Sequence, residues 1–309
     1  MQIAHIQLKH INFSDYSFSL LPESYPSEVS EKLKTSISHL GILHPPIVKA
    51  DEQNFSYQII TGRKRLNTAY SLDFNCCCCL KLPFDLPYLE TLNIVWEEAL
   101  YSHSLSSLNQ AVFFEKISKI CSIKEIARLF LPLIDLPPST DYINKKLQIL
   151  RLDQPLQIAL HKGRLNEQVS LELGRLPFSD RMALFEVIEL LKLSAGNQKK
   201  LTRSCCELAA RNRTTVLSIL SQPKLAGIIN SSNSNIPQKA GHFMKVLHEE
   251  RYPRLTEAEN DFRRFEAGLS LPANIRINHD PSFEKDELNL TITCPGRKEL
   301  ENILNKIRN

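Results

Sequence analysis

The sequence predicts an α+β protein: a small α/β domain at the N-terminus, a helical middle and a short strand–strand–helix element at the C-terminus. Three observations carry that expectation. The first hundred or so residues mix short β-prone runs with helical periodicities. Beyond about residue 104 the β-prone runs stop and apolar residues recur at helical spacing. The last forty or so residues return to short β-prone runs before a final helical stretch. The boundaries expected from these changes are 1–103, 104–180, 181–268 and 269–309.

In the first segment, strands are expected over 3–8, 46–50, 57–60 and 76–82. Helices are expected over 27–40, where Val29, Leu33, Ile37 and Leu40 share a face, and over 64–72. Gly41 suits the end of the first helix, because glycine accepts the left-handed conformation. Pro45 and Pro46 bar its continuation and favour an extended entry into Ile47 and Val48. Pro83 and Pro87 mark a turn before a helix over 88–103.

The helical middle reads as 108–120, 123–130, 140–150, 155–161 and 166–173, with Ser139 placed to cap the third and Gly163 to close the fourth. Further helices are expected over 181–193, 198–212, 214–220, 238–250 and 257–267, with a polar loop over 230–235. Strands over 275–277 and 288–293 and a helix over 298–307 complete the chain.

Composition is that of an ordinary globular chain, with 42% hydrophobic and 23% charged residues, and its 309 residues suffice for several domains. A net charge of +4 and a pI near 8.5 permit nucleic-acid contact without demanding it. No segment has the roughly 20 consecutive apolar residues that span a bilayer, and the N-terminus lacks a signal pattern, so a cytoplasmic protein is expected. Neighbouring residues on a strand point to opposite faces, so Cys76 to Cys79 do not converge on one tetrahedral zinc. They read instead as small buried residues of a reducing compartment, with redox or metal chemistry as the alternative. Trp96 reads as core. The histidines show no ligand spacing, and neither a nucleophile elbow nor a Walker loop is present.

Two stretches point to function. Gly41-Ile-Leu-His-Pro-Pro-Ile-Val48 precedes Tyr57-Gln-Ile-Ile-Thr-Gly-Arg-Lys-Arg65. A strand that ends on glycine with cations behind it suits an anion, because backbone amides and basic side chains can converge there. Thr61, Gly62, Arg63, Lys64 and Arg65 are therefore candidate phosphate ligands. Farther on, Thr140-Asp-Tyr-Ile-Asn-Lys-Lys-Leu147 places Ile143, Leu147 and Leu150 on one face, leaving Thr140, Asn144, Lys145 and Gln148 outward. Ser139 and Thr140 at a helix start suit backbone phosphates, and Asn or Gln can read base edges. Lys124 lies on the preceding helix. The link over 131–138 is longer than a standard helix-turn-helix turn and carries prolines. The basic residues Lys199, Lys200, Arg203, Arg211 and Arg213 read as a solvated helix face, with sequence-independent phosphate contacts as the alternative.

These motifs resemble the ParB/sulfiredoxin superfamily, and in their order a ParB/RepB-like partition protein. The G-[IL]-L-x-P-[IL]-x-V element is similar to residues 41–48, and G-x-R-R to Gly62-Arg63-Lys64-Arg65. Ser107-Leu-Asn-Gln-Ala111 resembles the L-N-P-x-E-x-A region, Ile123-Lys-Glu-Ile-Ala127 the first helix of the helix-turn-helix, and Leu147-Gln-Ile-Leu-Arg-Leu152 with Ile158 to Leu165 the run that follows. The resemblance covers roughly residues 1 to 180.

It implies binding of double-stranded DNA, a homodimer, a partition ATPase as partner, nucleoid association, and CTP with magnesium (Mg2+) at the Gly62 loop. The family's E-N-x-Q-R element has no counterpart over 97–108, where Glu97 or Glu98 is the available carboxylate. Lys64 replaces an arginine and lacks its bidentate fork. Sulfiredoxin chemistry is excluded, because Arg63 stands where that branch carries its cysteine. Nucleotide hydrolysis is not the leading expectation. The alternatives are a nucleotide-dependent enzyme (a CTP hydrolase or small-molecule kinase) and a non-catalytic adaptor.

Overall fold

The computed structural model describes residues 1–25, 29–51, 56–102, 105–231, 234–281, 283, 285, 287–297 and 300–301. It divides into two compact units, Met1–Arg181 and Met182–Asn309. Residues 1–103 and 104–180 thus lie together in the first.

The first unit is mixed α+β. Its strands are β1 (Gln2–Gln7), β2 (Ile11–Asn12), β3 (Ile47–Asp51), β4 (Ser56–Thr61) and β5 (Cys76–Leu82), and a 3-10 turn at Leu8–His10 separates the first two. They form one sheet in the order β1-β5-β3-β4-β2. Pairs β1/β5 and β3/β4 are antiparallel, whereas β3/β5 and β2/β4 are parallel. Helices α1 (Glu31–Leu40), α2 (Arg63–Ser71) and α3 (Tyr88–Ser102) complete this part. Helix α1 begins after the expected position 27, because Ser30 caps it by accepting the Leu33 amide at 3.2 Å. Gly41 ends it with φ +69° while its amide bonds the Ile37 carbonyl at 2.9 Å. The short β2 has no counterpart among the expected strands, since a two-residue strand carries no period.

Helices α4 (Ser107–Ile117), α5 (Ile123–Phe130), α6 (Thr140–Ile149), α7 (Gln154–His161) and α8 (Glu167–Leu173) follow. Helix α4 stops short of the expected 120, with Ser118 as its C-cap. The sheet and these helices share a core: Ile47, Ile60 and Leu82 lie in one buried cluster with Trp96, Phe113 and Phe130. Trp96 is fully buried and stacks on Phe113 at 4.3 Å between ring centroids. The opposite face of the sheet holds a second cluster with Val48, Leu66, Cys77 and Cys79.

The cysteine strand departs from its expectation in half of its residues. Cys77 and Cys79 are buried, but Cys76 is exposed and Cys78 half-buried, as alternation along a strand with one covered face requires. Burial pushes the Cys77 thiol up to about 11 and that of Cys79 up to about 12.

Helix α9 (Phe178–Leu190) runs across the division between the units. The second unit contains α10 (Ala195–Asn212), α11 (Val216–Leu220), α12 (Pro223–Asn230), α13 (Ile236–Arg251) and α14 (Pro253–Gly268), then β6 (Ile275–His279) and β7 (Leu288–Ile292). Helix α12 was not expected from the sequence, although Pro223 suits its first turn. Leu201, Cys205, Phe243 and Leu247 are buried on α10 and α13, which pack together. Strands β6 and β7 form an antiparallel hairpin, and Phe262 of α14 meets the His279 ring at 4.3 Å. The helix expected over 298–307 lies almost wholly outside the described residues.

Candidate functional site

Gly62 joins β4 to α2 with φ +83°. A Cβ there would stand 2.9 Å from Pro46 Cβ and 3.0 Å from an Arg65 guanidinium nitrogen. Backbone and packing both require glycine at this turn. Helix α2 begins without a side-chain cap. Thr61 Oγ1, just before it, is shielded from solvent and has no hydrogen-bond partner among the described residues.

The three cations behind Gly62 diverge. Arg63 folds back on the segment after β2: Nη1 donates to the Phe13 carbonyl at 2.7 Å, Nη2 donates to the Asp15 carbonyl, and the guanidinium carbon stands 4.2 Å from the centre of the Tyr16 ring. Burial lowers the Arg63 pKa, against the opposing pull of Tyr16 and Asp15. Arg65 donates to the His44 carbonyl and pairs with Glu98 at 3.4 Å. Lys64 is exposed. Its charge reaches His161, whose pKa is lowered by burial and then by Lys64 and Lys162. His161 Nδ1 lies 2.8 Å from Ser106 Oγ, and Tyr25 meets the ring edge-on at 5.1 Å.

This arrangement does not fit CTP with magnesium. A bound triphosphate needs several cations turned towards one point and oxygen ligands for the metal. Arg63 faces backbone carbonyls and Glu98 faces Arg65.

The second candidate surface lies on α5 and α6. Ser122 and Glu125 form a capping box at the start of α5, whose Ile126, Ala127 and Phe130 are buried, while Lys124 is exposed. The link passes through a 3-10 turn at Pro132–Ile134 and Asp135 at φ +58°. Ser139 then caps α6 by accepting the Tyr142 amide at 3.3 Å. Asn144, Lys145 and Gln148 are exposed, and Ser139 and Thr140 half-buried at the helix start. Ile143 and Ile149 bury the opposite face.

One residue here was not legible as special. Lys146 is buried, donating to Glu167 Oε1 and Oε2 at 2.8 and 2.7 Å and to Ser107 Oγ at 3.0 Å. Its ammonium also stands 4.9 Å from the Tyr142 ring, and Tyr142 Oη donates to Gln110 Oε1 at 2.7 Å. Buried charge persists only when paired and hydrogen-bonded, and this set ties α4, α6 and α8 together. A lysine beside Lys145 gives no sign in sequence that it faces inward.

On α10, Lys199 and Lys200 are exposed, Arg203 pairs with Glu207 at 2.8 Å, and Arg211 donates to the carbonyls of Glu250 and Arg251 at the end of α13. The paired arginines serve the fold. No helix among the described residues is long and apolar enough to cross a membrane.

No family model matches the chain. Its curated relatives are nucleoid occlusion proteins. That of Bacillus subtilis is 26% identical over 147 residues, 47% of this chain and 49% of the relative. That of Bacillus licheniformis is 26% identical over 170 residues, 53% and 57% of the two chains. The chain therefore shows low-identity homology to nucleoid occlusion proteins, and spans about half the length of the curated relatives it matches.

Among solved structures, a truncated chromosome-partitioning protein ParB from Caulobacter crescentus complexed to the centromeric parS site matches with TM-score 0.35 and 19% identity, over 65% of this chain and 98% of that one. The same truncated protein complexed with CTP-gamma-S gives TM-score 0.29 and 19% identity, over 61% and 99%. A Pnob8-like ParB-N domain gives 0.38 and 14%, over 83% and 96%.

Proposed function

We propose that this chain is a ParB-like DNA-binding protein that reads duplex DNA with the outward face of α6. One observation carries the reading. A helix capped at Ser139 presents Asn144, Lys145 and Gln148 to solvent while its other face is pinned by Ile143, Ile149 and Lys146. Asn144 and Gln148 are the residues for base edges, and Lys145, Lys124 and the helix start at Ser139 and Thr140 those for backbone phosphates. Homology to nucleoid occlusion proteins supports a role of this general kind, in partition or transcription control. The same reading includes a nucleoid-associated homodimer in the cytoplasm and a partition ATPase as partner. Of the Gly62 loop, Lys64 is the residue open to a phosphate. Neither a CTP hydrolase nor a kinase draws support from that loop, since Arg63 and Arg65 are engaged elsewhere.

The test is fluorescence anisotropy of labelled duplex DNA over a salt series. Tight binding with a steep salt slope is expected, and Lys145→Ala should flatten the slope by about 0.9 for one lost phosphate contact. Asn144→Ala should cost about 1–3 kcal/mol against the preferred sequence and little elsewhere. No salt-sensitive binding by the wild-type chain would overturn the reading.

A further inference from the structure

Residues 13–25, between β2 and α1, carry no helix or strand, yet they are stitched along their length. We infer that this segment is an internal strap, and that Arg63 and Lys116 are positioning residues that fasten the sheet to the DNA-facing helices through it, not ligands for an anion.

The segment first organises itself. Ser14 donates its amide to Asn12 Oδ1 at 3.0 Å, Ser17 to Asp15 Oδ1 at 2.8 Å, and Leu21 to Ser19 Oγ at 3.1 Å. Short polar side chains thus fold it into successive local turns. Its carbonyls are then taken by side chains from three helices. Arg63 of α2 donates to Phe13 and Asp15. Lys116 of α4 donates to Tyr16 and Ser17 at 2.9 and 2.8 Å. Asn109 of α4 donates to Leu20 at 2.9 Å, and Gln154 of α7 to Ser24 at 2.7 Å. Phe18 is buried in the core shared by sheet and helices, and Tyr25 leans on His161.

Two features make this a fastening. The partners are carbonyl oxygens, which engage both terminal nitrogens of Arg63 and the Lys116 ammonium and hold these half-buried cations against the segment. The donors also come from both sides: Arg63 follows the sheet through Gly62, whereas Lys116 belongs to α4, which packs on α6. Burial lowers the Lys116 pKa as it does that of Arg63. The strap thus adds a polar tie between α2 and α4 beside the buried core that the sheet shares with α4 and α6. The effect on DNA affinity rests on the reading above; the strap itself does not.

The test uses the full chain and two readouts, amide hydrogen exchange over 13–25 and the salt dependence of DNA binding, for wild type, Arg63→Ala, Arg63→Lys and Lys116→Met. All three variants should lose protection over 13–25 while α4 to α8 keep theirs. Arg63→Lys should resemble Arg63→Ala, because an ammonium cannot reproduce the fork that spans two carbonyls. DNA affinity should fall about tenfold, roughly 1.4 kcal/mol, with an unchanged salt slope. Unchanged protection with a slope lower by about 0.9 would make Arg63 a phosphate ligand and overturn the strap. So would micromolar binding of CTP and magnesium, measured by calorimetry on the wild type and abolished in Arg63→Ala. A wild type that binds no DNA, with protection over 13–25 still lost in the variants, would fail the DNA reading and leave the strap standing.

Discussion

Helices α4 and α14 are each several turns long, but the first is mostly apolar and the second rich in charge, and they are held in different ways. Helix α4 buries Leu108, Ala111, Val112, Phe113, Phe114 and Ile117, and its capping box is closed by Ser106 and Asn109. Helix α14 buries no residue, and β7 beyond it leaves Leu288 and Leu290 each 52% exposed. An apolar stripe records that a helix has something to cover; whether it is covered within the chain is decided by what the fold brings to it. In the first unit, Trp96 and the sheet meet α4. At α14 the local cover is a hairpin joined through Phe262, His279 and Phe283.

That contrast can be broken most forcefully at Trp96. Trp96→Ala removes a ring packed on Phe113, Phe114 and Phe130, and should cost about 3–5 kcal/mol, read as a lower urea midpoint for the first unit.

A smaller effect is expected at His161, next to the strap. Its folded-state pKa lies below 6.5, so the neutral ring is the form the fold favours. Below about 6.5 the unfolded chain gains a proton before the folded one, so this contribution is present above that pH and is lost as pH falls through the folded value. The groups facing the ring are Ser106, Tyr25, Lys64 and Lys162. Urea titrations from pH 8 to 5 should show stability declining, and His161→Gln should flatten that decline.

The smallest effect belongs to β7. Leu290→Ser should change the stability of the isolated chain by no more than about 0.5 kcal/mol. If the exposed face is the homodimer contact, light scattering should show the same change shifting the population towards monomer. A cost of several kcal/mol in dilute monomer would mean that β7 belongs to a core, and the contrast with α4 would collapse.

Much of the fold is legible in the amino-acid sequence, for particular reasons. The bounds of β5 and α5 follow from turn residues and caps: Asn75 and Pro83 bracket one, and Ser122 starts the other. On α6 the exposure of Asn144, Lys145 and Gln148 follows from Ile143 and its spacing, whereas Thr140 is half-buried and the inward face is completed by Ile149, with Leu147 and Leu150 only half-buried. What is not legible depends on contacts distant in sequence. Arg63 reads as an anion ligand because glycine and cations stand together, whereas its partners Phe13 and Asp15 lie some fifty residues earlier. The sequence does not single out Lys146, because its partners Glu167 and Ser107 come from other helices. Alternation on β5 is legible, but not that only one face of its first half is covered.

Lys145 and Lys146 are neighbours in the chain and strangers in chemistry. About 100° of helix separates their side chains, so one amine stands in water and the other among oxygens of its own protein. A reagent or enzyme that acylates accessible amines would meet a single lysine there. Such a neutralising mark would alter what α6 presents outward and leave the internal wiring of the helix untouched, so that the surface of this helix is adjustable independently of its scaffold.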